Sequence, residues 1–384
     1  MTPATTRSPR RRSGAGSSSS RTGVEGARDA RLRRVRAAIR KADCDSLLIT
    51  NPDDIRYLTG FSGEDSVALV QARKLTIVSD FRFAEDLETV KGRSRVVLRD
   101  GRMADALGAL TRDEGVERIG VQSEHLTLAE RRLYGGSIGV RRLVATEGLL
   151  SGLRVIKDAT EVAQIRKAAR LQEQALLATL DDLRPGQRER EIAARLEFEM
   201  KSRGASGPSF GTIVAAGAYS SRPHAVPASA KAQKNRVLLI DWGARLDGYC
   251  ADMTRTFALG SWPKAMREVY GIVLEAFEAA LATVRAGVSC RDVDAAARDV
   301  IADAGYGERF GHGLGHGIGL EVHEAPRLSR QSDDTLRAGM VVTIEPGIYL
   351  PGVGGVRIED DVLVTETGVR NLSTLPRDID WATR

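Results

Sequence analysis

The segment GHGLGHGIGLEVHE, residues 311–324, holds three of the chain's five histidines and five glycines. Imidazole is a frequent metal ligand and proton carrier, and a run so rich in glycine is poor helix material. Carboxylates able to share such work lie in two other segments. VLLIDWGARLDGYCADMTRTFALG, residues 237–260, has two strand-like runs around Asp247-Gly248, a strong signal for a two-residue hairpin. That turn pairs Leu246 with Tyr249 and sets Asp252 opposite Gly243. Asp241 then shares a face with Asp252 as its diagonal neighbour, about 7–8 Å away at the backbone. In MVVTIEPGIYLPGVGGVRIEDDVLVTETG, residues 340–368, Glu345 and Glu359 are symmetric about Gly352. A second hairpin would bring them together, although Pro346 cannot donate to the ladder, so proximity is the firmer expectation there.

Either pair alone reads as turn formers or water-facing acids. Together with a histidine cluster, four carboxylates suggest a metal site. Hard oxygen donors with imidazole suit Mn(II), Co(II), Fe(II) or Zn(II), and four carboxylates can bridge two such ions. Without cations they would repel one another and each pKa would rise. Rival motifs fail. HEAP lacks the second histidine of a HExxH helix, GLGHGIG does not match GxGxxG, and neither a GxSxG elbow nor a phosphate-binding loop is present.

The elements that must carry these residues alternate helices with apolar strands, an α/β (α+β) pattern. ARDARLRRVRAAIRKA reads as an amphipathic helix from about residue 29. Strand-like runs follow in DSLLITN, SVALVQA, LTIVSD, SRVVLRD and RIGVQSE, with RMADALGALTRDEG as a helix between the last two. Near residue 155 the texture changes to long helices. The first has Asp158 and Glu161 spaced as a capping box and stops at Pro185-Gly186. A second ends at Gly204, and two more occupy roughly 263–286 and 290–304. Residues 29–154 and 155–384 are therefore expected to form two domains, the second carrying the chemistry.

Bulk properties narrow the class. Of 57 basic residues, Arg7, Arg10, Arg11, Arg12 and Arg21 sit in an acid-free stretch, leaving 52 against 51 acids elsewhere. The net charge of +6 thus describes the low-complexity, Ser/Arg-rich first 28 residues, expected to be disordered. A nearly neutral body argues against a nucleic-acid partner. No apolar run is long enough for a membrane span and no secretory h-region is seen. Cys44, Cys250 and Cys290 are odd in number and scattered, which fits reduced thiols in a cytoplasmic setting.

Five ordered segments, PSFGTIVAAGAYSSRPHAVP, DWGARLDGYCADMTRTF, GHGLGHGIGLEVHE, TIEPGIY and GVRIEDDVLVT, resemble the successive motifs of the pita-bread metallopeptidases, in their proline-specific branch of prolidases and aminopeptidases P. NPDDIRYLTGF resembles their creatinase/prolidase-type N-terminal α/β domain. The resemblance covers nearly everything after the tail. It implies a pita-bread catalytic domain holding two divalent ions, manganese first, with cobalt, zinc or iron as alternatives. The implied ligands are Asp241, Asp252, His316, Glu345 and Glu359, with Asp252 and Glu359 bridging. His224, His312, His323 and Arg357 match residues that hold substrate and stabilise the tetrahedral intermediate, and Glu345 matches the proton carrier. The sole departure is Trp242, where the family commonly has phenylalanine or leucine.

The implied activity is hydrolysis of the Xaa-Pro bond, in dipeptides or at peptide N-termini, by a hydroxide bridging the two ions. Peptides with proline at the second position are the implied substrates, and a homodimer the implied assembly. A methionine aminopeptidase-like enzyme is an alternative, disfavoured by the extra N-terminal domain and the SRPHA segment. A non-catalytic pita-bread binding module is another, disfavoured because such relatives tend to lose ligands. His125 receives no role.

Overall fold

The computed structural model of the protein describes residues 17–384. In the first half six strands form one mixed sheet, in the spatial order Arg95–Leu98, Leu75–Ser79, Val67–Gln71, Ser46–Ile49, Ile119–Gln122, Leu143–Thr146. Its four inner strands read as largely apolar runs because both faces are covered. Leu48, with Leu69 and Val78, packs under the helices Met103–Asp113 and Leu128–Ile138. Leu47 and Ile49, on the opposite face, pack against Val35, Ile39 and Ile55. The helix Leu128–Ile138 and the strand Leu143–Thr146 went unread in the sequence.

The first helix differs from expectation. It begins at Ser17, not near residue 29, so residues 17–28 of the stretch expected to be disordered are helical, and residues 1–16 lie outside the described chain. Glu25 and Asp29, one turn apart, both face Arg93, at 2.9 and 3.7 Å. Arg31 bonds Asp158 at 2.8 Å. Such anchors lie far along the chain, where a local reading cannot find them.

The second half is built on four helices, Ala159–Asp181, Glu189–Ser202, Lys264–Thr283 and Cys290–Asp303. The Asp158/Glu161 capping box is present in full. Leu176, Leu196, Val273 and Phe277 from these helices share one core with Leu238, Ile240 and Val342 from the strands beneath. One sheet runs Met253–Ala258, Val237–Trp242, Ile213–Ala216. Another runs Glu324–Leu328, Gly315–Gly317, Val341–Ile344, Asp360–Val364, Val369–Asn371. The two halves are joined by a common core, in which Tyr249, Ile318, Leu320 and Val341 pack with Leu47 and Ile55. No helix among the described residues is long and apolar enough to cross a membrane.

Candidate metal centre

Asp247 (φ 51°) and Gly248 (φ 87°) both lie in the left-handed region, as a type I′ turn requires. Leu246 pairs with Tyr249, and the register carries through to Trp242 opposite Met253 and Asp241 opposite Thr254. Asp252 lies two residues before Thr254, so it shares the face of Asp241 as the sequence indicated. Between the two paired stretches Gly243 lies so close to its neighbours that a Cβ would come within 2.2 Å of the Ala251 carbonyl oxygen.

The second hairpin is interrupted at the residues of interest. Gly347 pairs with Arg357 on one side of the break and Ile344 with Asp360 on the other, so a single register flanks it. At the break, beside Pro346, the amides of the two glutamates turn to other strands. Glu345 N donates to Leu314 O at 2.8 Å, within the histidine segment, and Glu359 N donates to Thr254 O at 3.1 Å, on the first hairpin. These two bonds tie the three segments to one another.

His316 sits on the short strand Gly315–Gly317. Its glycine neighbours allow tight strand packing. A Cβ at Gly315 would lie 2.0 Å from Thr343 O, and one at Gly317 would lie 2.1 Å from Ala325 O. None of the five glycines in this segment has positive φ, so close approach, and not backbone freedom, explains Gly315 and Gly317. His316 Nδ1 lies 3.1 Å from Gly317 O. Donation there leaves the Nε2 lone pair facing Asp252 Oδ2 (3.7 Å) and Glu345 Oε1 (3.6 Å). Burial, aided by His323, lowers its pKa to about 4 and keeps it neutral.

Donor atoms of Asp252, His316 and Glu359 lie within 4.8 Å of one another. They line a cavity of about 440 Å³ together with Asp241, Glu345, His224, His312, His323 and Arg357. All nine residues singled out in the sequence therefore meet in one place. Burial, compounded by mutual repulsion, raises the Asp252 and Glu359 carboxyls well above the usual range. Glu345 is pushed up to about 8, chiefly by burial and with Asp241 adding, despite Arg357. Asp241 is also raised by burial, against the pull of Arg357. Its Oδ2 accepts from Arg357 Nη2, while its buried Oδ1 has no hydrogen-bond partner among the described residues. Four acids crowded at low dielectric, one with an orphaned oxygen, beside a neutral imidazole form a donor set that fits divalent cations.

Several supporting residues escaped the sequence reading. Thr254 Oγ1 donates to Glu359 Oε2 at 2.6 Å and accepts from Arg357 Nε at 3.0 Å. Thr343 Oγ1 accepts the His316 amide at 3.1 Å. Asp361 Oδ2 accepts the Asp252 amide at 3.0 Å. Arg357 Nη1 donates to Tyr349 Oη at 2.7 Å, which in turn is 2.9 Å from His312 Nε2. Strand alternation was the available signal: Thr254, Tyr349 and Asp361 each lie an even number of positions from an acid of the cluster. Phe210, Ile213, Val226 and Arg327 also line the cavity and carried no such signal.

Two family models match the chain. Residues 163–366 match metallopeptidase family M24 and residues 31–156 the creatinase/prolidase N-terminal domain. An Xaa-Pro dipeptidase of Pyrococcus horikoshii is 34% identical over 342 residues, 88% of this chain and 95% of that relative. Among solved structures, an Xaa-Pro dipeptidase from Bacillus anthracis superposes with a TM-score of 0.88 at 37% identity, covering 92% of this chain and 99% of that one. An X-Pro aminopeptidase from Thermotoga maritima gives 0.85 at 37% identity, with 89% and 99% covered. The two-part α/β architecture is thus that of the expected family.

Proposed function

Since this chain belongs to metallopeptidase family M24, we propose that it hydrolyses the Xaa-Pro bond of dipeptides and of peptides with proline second, using two divalent ions held by Asp241, Asp252, His316, Glu345 and Glu359. The observation that carries the reading is the buried acid cluster, which Arg357 alone cannot neutralise. The chemistry that such a pair of ions supplies when bound is activation of water near neutral pH and polarisation of a carbonyl.

The remaining work falls to the chain. An Xaa-Pro bond is a tertiary amide with no N–H, and its ring fixes the local backbone. Recognition therefore rests on shape and on the substrate's ends. The apolar side chains of Phe210, Ile213 and Val226 offer a wall for the ring. Asp241 is suited to the free amine, through its unpartnered Oδ1. Arg327 lines the cavity, is exposed and has no ion pair among the described residues, which favours the C-terminal carboxylate of a dipeptide. His323, its ring 4.4 Å from that of His316 and its pKa lowered by burial and Arg327, can donate an N–H to the carbonyl oxygen as charge develops. Glu345, a carboxylate lining the cavity beside His316, can carry the proton to the leaving nitrogen. His224, exposed at the cavity, is assigned to the proline end.

His312 and Arg357 take positioning roles in this reading, instead of the substrate contacts implied by resemblance. Both ring nitrogens of His312 are engaged, by Gly313 O and Tyr349 Oη, and the donors of Arg357 serve Thr254, Tyr349 and Asp241. Manganese as the native ion, a homodimer and a cytoplasmic location complete the proposal. The three free, buried cysteines support the last.

A substrate panel tests the reading. Leu-Pro, Leu-Pro-Gly, Leu-Ala and Met-Ala-Gly are assayed with manganese, cobalt and zinc in turn. The proline substrates should be cleaved at least about a hundredfold faster than Leu-Ala, with no turnover after chelation and dialysis. Preferred cleavage of Met-Ala-Gly would favour the methionine aminopeptidase reading. A chain inert with every metal would favour the binding module.

A further inference from the structure

A second groove, of about 530 Å³, lies away from the catalytic cavity and shares no lining residue with it. One wall is a single face of the helix Ala159–Asp181, whose lining residues from Ala159 to Gln174 recur three or four apart. Four turns of helix make that wall about 22 Å long. Arg203, Leu246 and Arg370 form the other side. The floor is apolar, with Val162 and Leu171 buried and Leu246 half-buried.

The charge is one-sided. Arg166, Lys167, Arg170, Arg203 and Arg370 all line the groove and no carboxylate does. Arg170 and Arg203 lean on Glu173 and Glu199, which do not line it. Arg166, Lys167 and Arg370 are exposed and have no ion pair among the described residues. In a body whose charges nearly balance, such a cluster is a local feature of this face. We propose that the groove binds an acidic peptide segment whose carboxylates alternate with apolar side chains. Its length accommodates six or seven extended residues, at about 3.3 Å each. Its lining includes no aromatic ring on which a base could stack, which disfavours single-stranded nucleic acid.

The test uses the full-length protein and a fluorescein-labelled, amidated heptapeptide, Glu-Leu-Asp-Leu-Glu-Leu-Asp. An N-terminal label and the absence of proline keep it from serving as substrate. Anisotropy should show saturable binding in 50 mM NaCl that weakens at least about tenfold in 300 mM, because exposed charges are screened. The exposed-site variants K167E with R370E, and separately A163E, should weaken binding at least about tenfold while leaving Leu-Pro hydrolysis within about twofold, since the groove and the catalytic cavity share no lining residue. The proposal is overturned if these variants bind as the parent does. It is also overturned if the Gln/Asn-substituted peptide binds equally well, or if an oligouridylate of equal length binds more tightly. A change in sedimentation coefficient on charge reversal would overturn it too, by assigning the groove to a second copy of the chain.

Discussion

Two clusters of buried carboxylates in this molecule have opposite electrostatics. Near the junction of the two halves Arg154 bonds Asp54 at 2.9 Å and also Glu324, and Lys157 bonds Glu324 at 3.0 Å. All four side chains are 6% exposed or less. Burial alone would raise Glu324, yet Lys157 and Arg154 hold it down to about 2. One residue along the chain from Glu324, at His323, the catalytic cavity begins, and there Glu345 is pushed up to about 8. Burial is common to both acids, so the supply of cations makes the difference. In the first cluster each buried acid has a cationic partner, although burial still raises Asp54 against the pull of Arg154. Among the described residues the other has only Arg357 paired with its four acids.

The comparison can be broken by removing one member from each side. Asp252→Asn should cost several kcal/mol of transition-state stabilisation, about a thousandfold in kcat/KM, and lower the bound metal measured by elemental analysis. A variant with full activity after chelation and dialysis would remove Asp252 from the centre. Arg154→Ala should leave buried Asp54 without its ion partner and Glu324 with Lys157 alone, and destabilise the fold by about 3–5 kcal/mol in urea titrations, whereas Asp252→Asn should not destabilise the metal-free chain. Equal losses in both would end the distinction.

A smaller effect falls on chemistry alone. His323→Ala should retain metal and lower kcat about a hundredfold, the scale of a lost donor to developing charge. Unchanged kcat would exclude it.

The pH dependence sharpens the contrast, because the signs oppose. Glu345 is protonated in the metal-free fold below about 8 but ionises near 4.5 when unfolded. Its contribution is full below 4.5 and lost as pH rises through about 8. Glu324 contributes above about 4.5 and loses that contribution as pH falls towards about 2. Thermal melts of metal-free Glu345→Gln should therefore lose less stability between pH 5 and 8 than the parent, and Glu324→Gln should flatten the acid limb. The same slopes in both variants would contradict the assignment. The smallest effect expected is that of Tyr349→Phe, about 0.5–1.5 kcal/mol for hydrogen bonds lost at Arg357 and His312, read as a lower Tm with metal content unchanged.

Much of the site was legible because strands have a period of two. The Asp247-Gly248 turn fixed the register, and the register put Asp241 and Asp252 on one face. Symmetry about Gly352 likewise gave the flanking pairs of the second hairpin. The glycines around His316 were noticed for a different reason than the one they serve. Their closest neighbours, Thr343 O and Ala325 O, belong to strands whose approach the segment cannot announce.

The chain's own order of residues determined the turns, the helix cap at Asp158 and which side chains share a face, since each depends on neighbours a few positions apart. Only the tertiary structure decided that Glu359 meets Thr254, that Arg357 reaches Asp241, and that Glu324 is neutralised while Glu345 is not. Those outcomes depend on desolvation and on charges contributed by segments more than a hundred residues away, and both are properties of the folded surroundings.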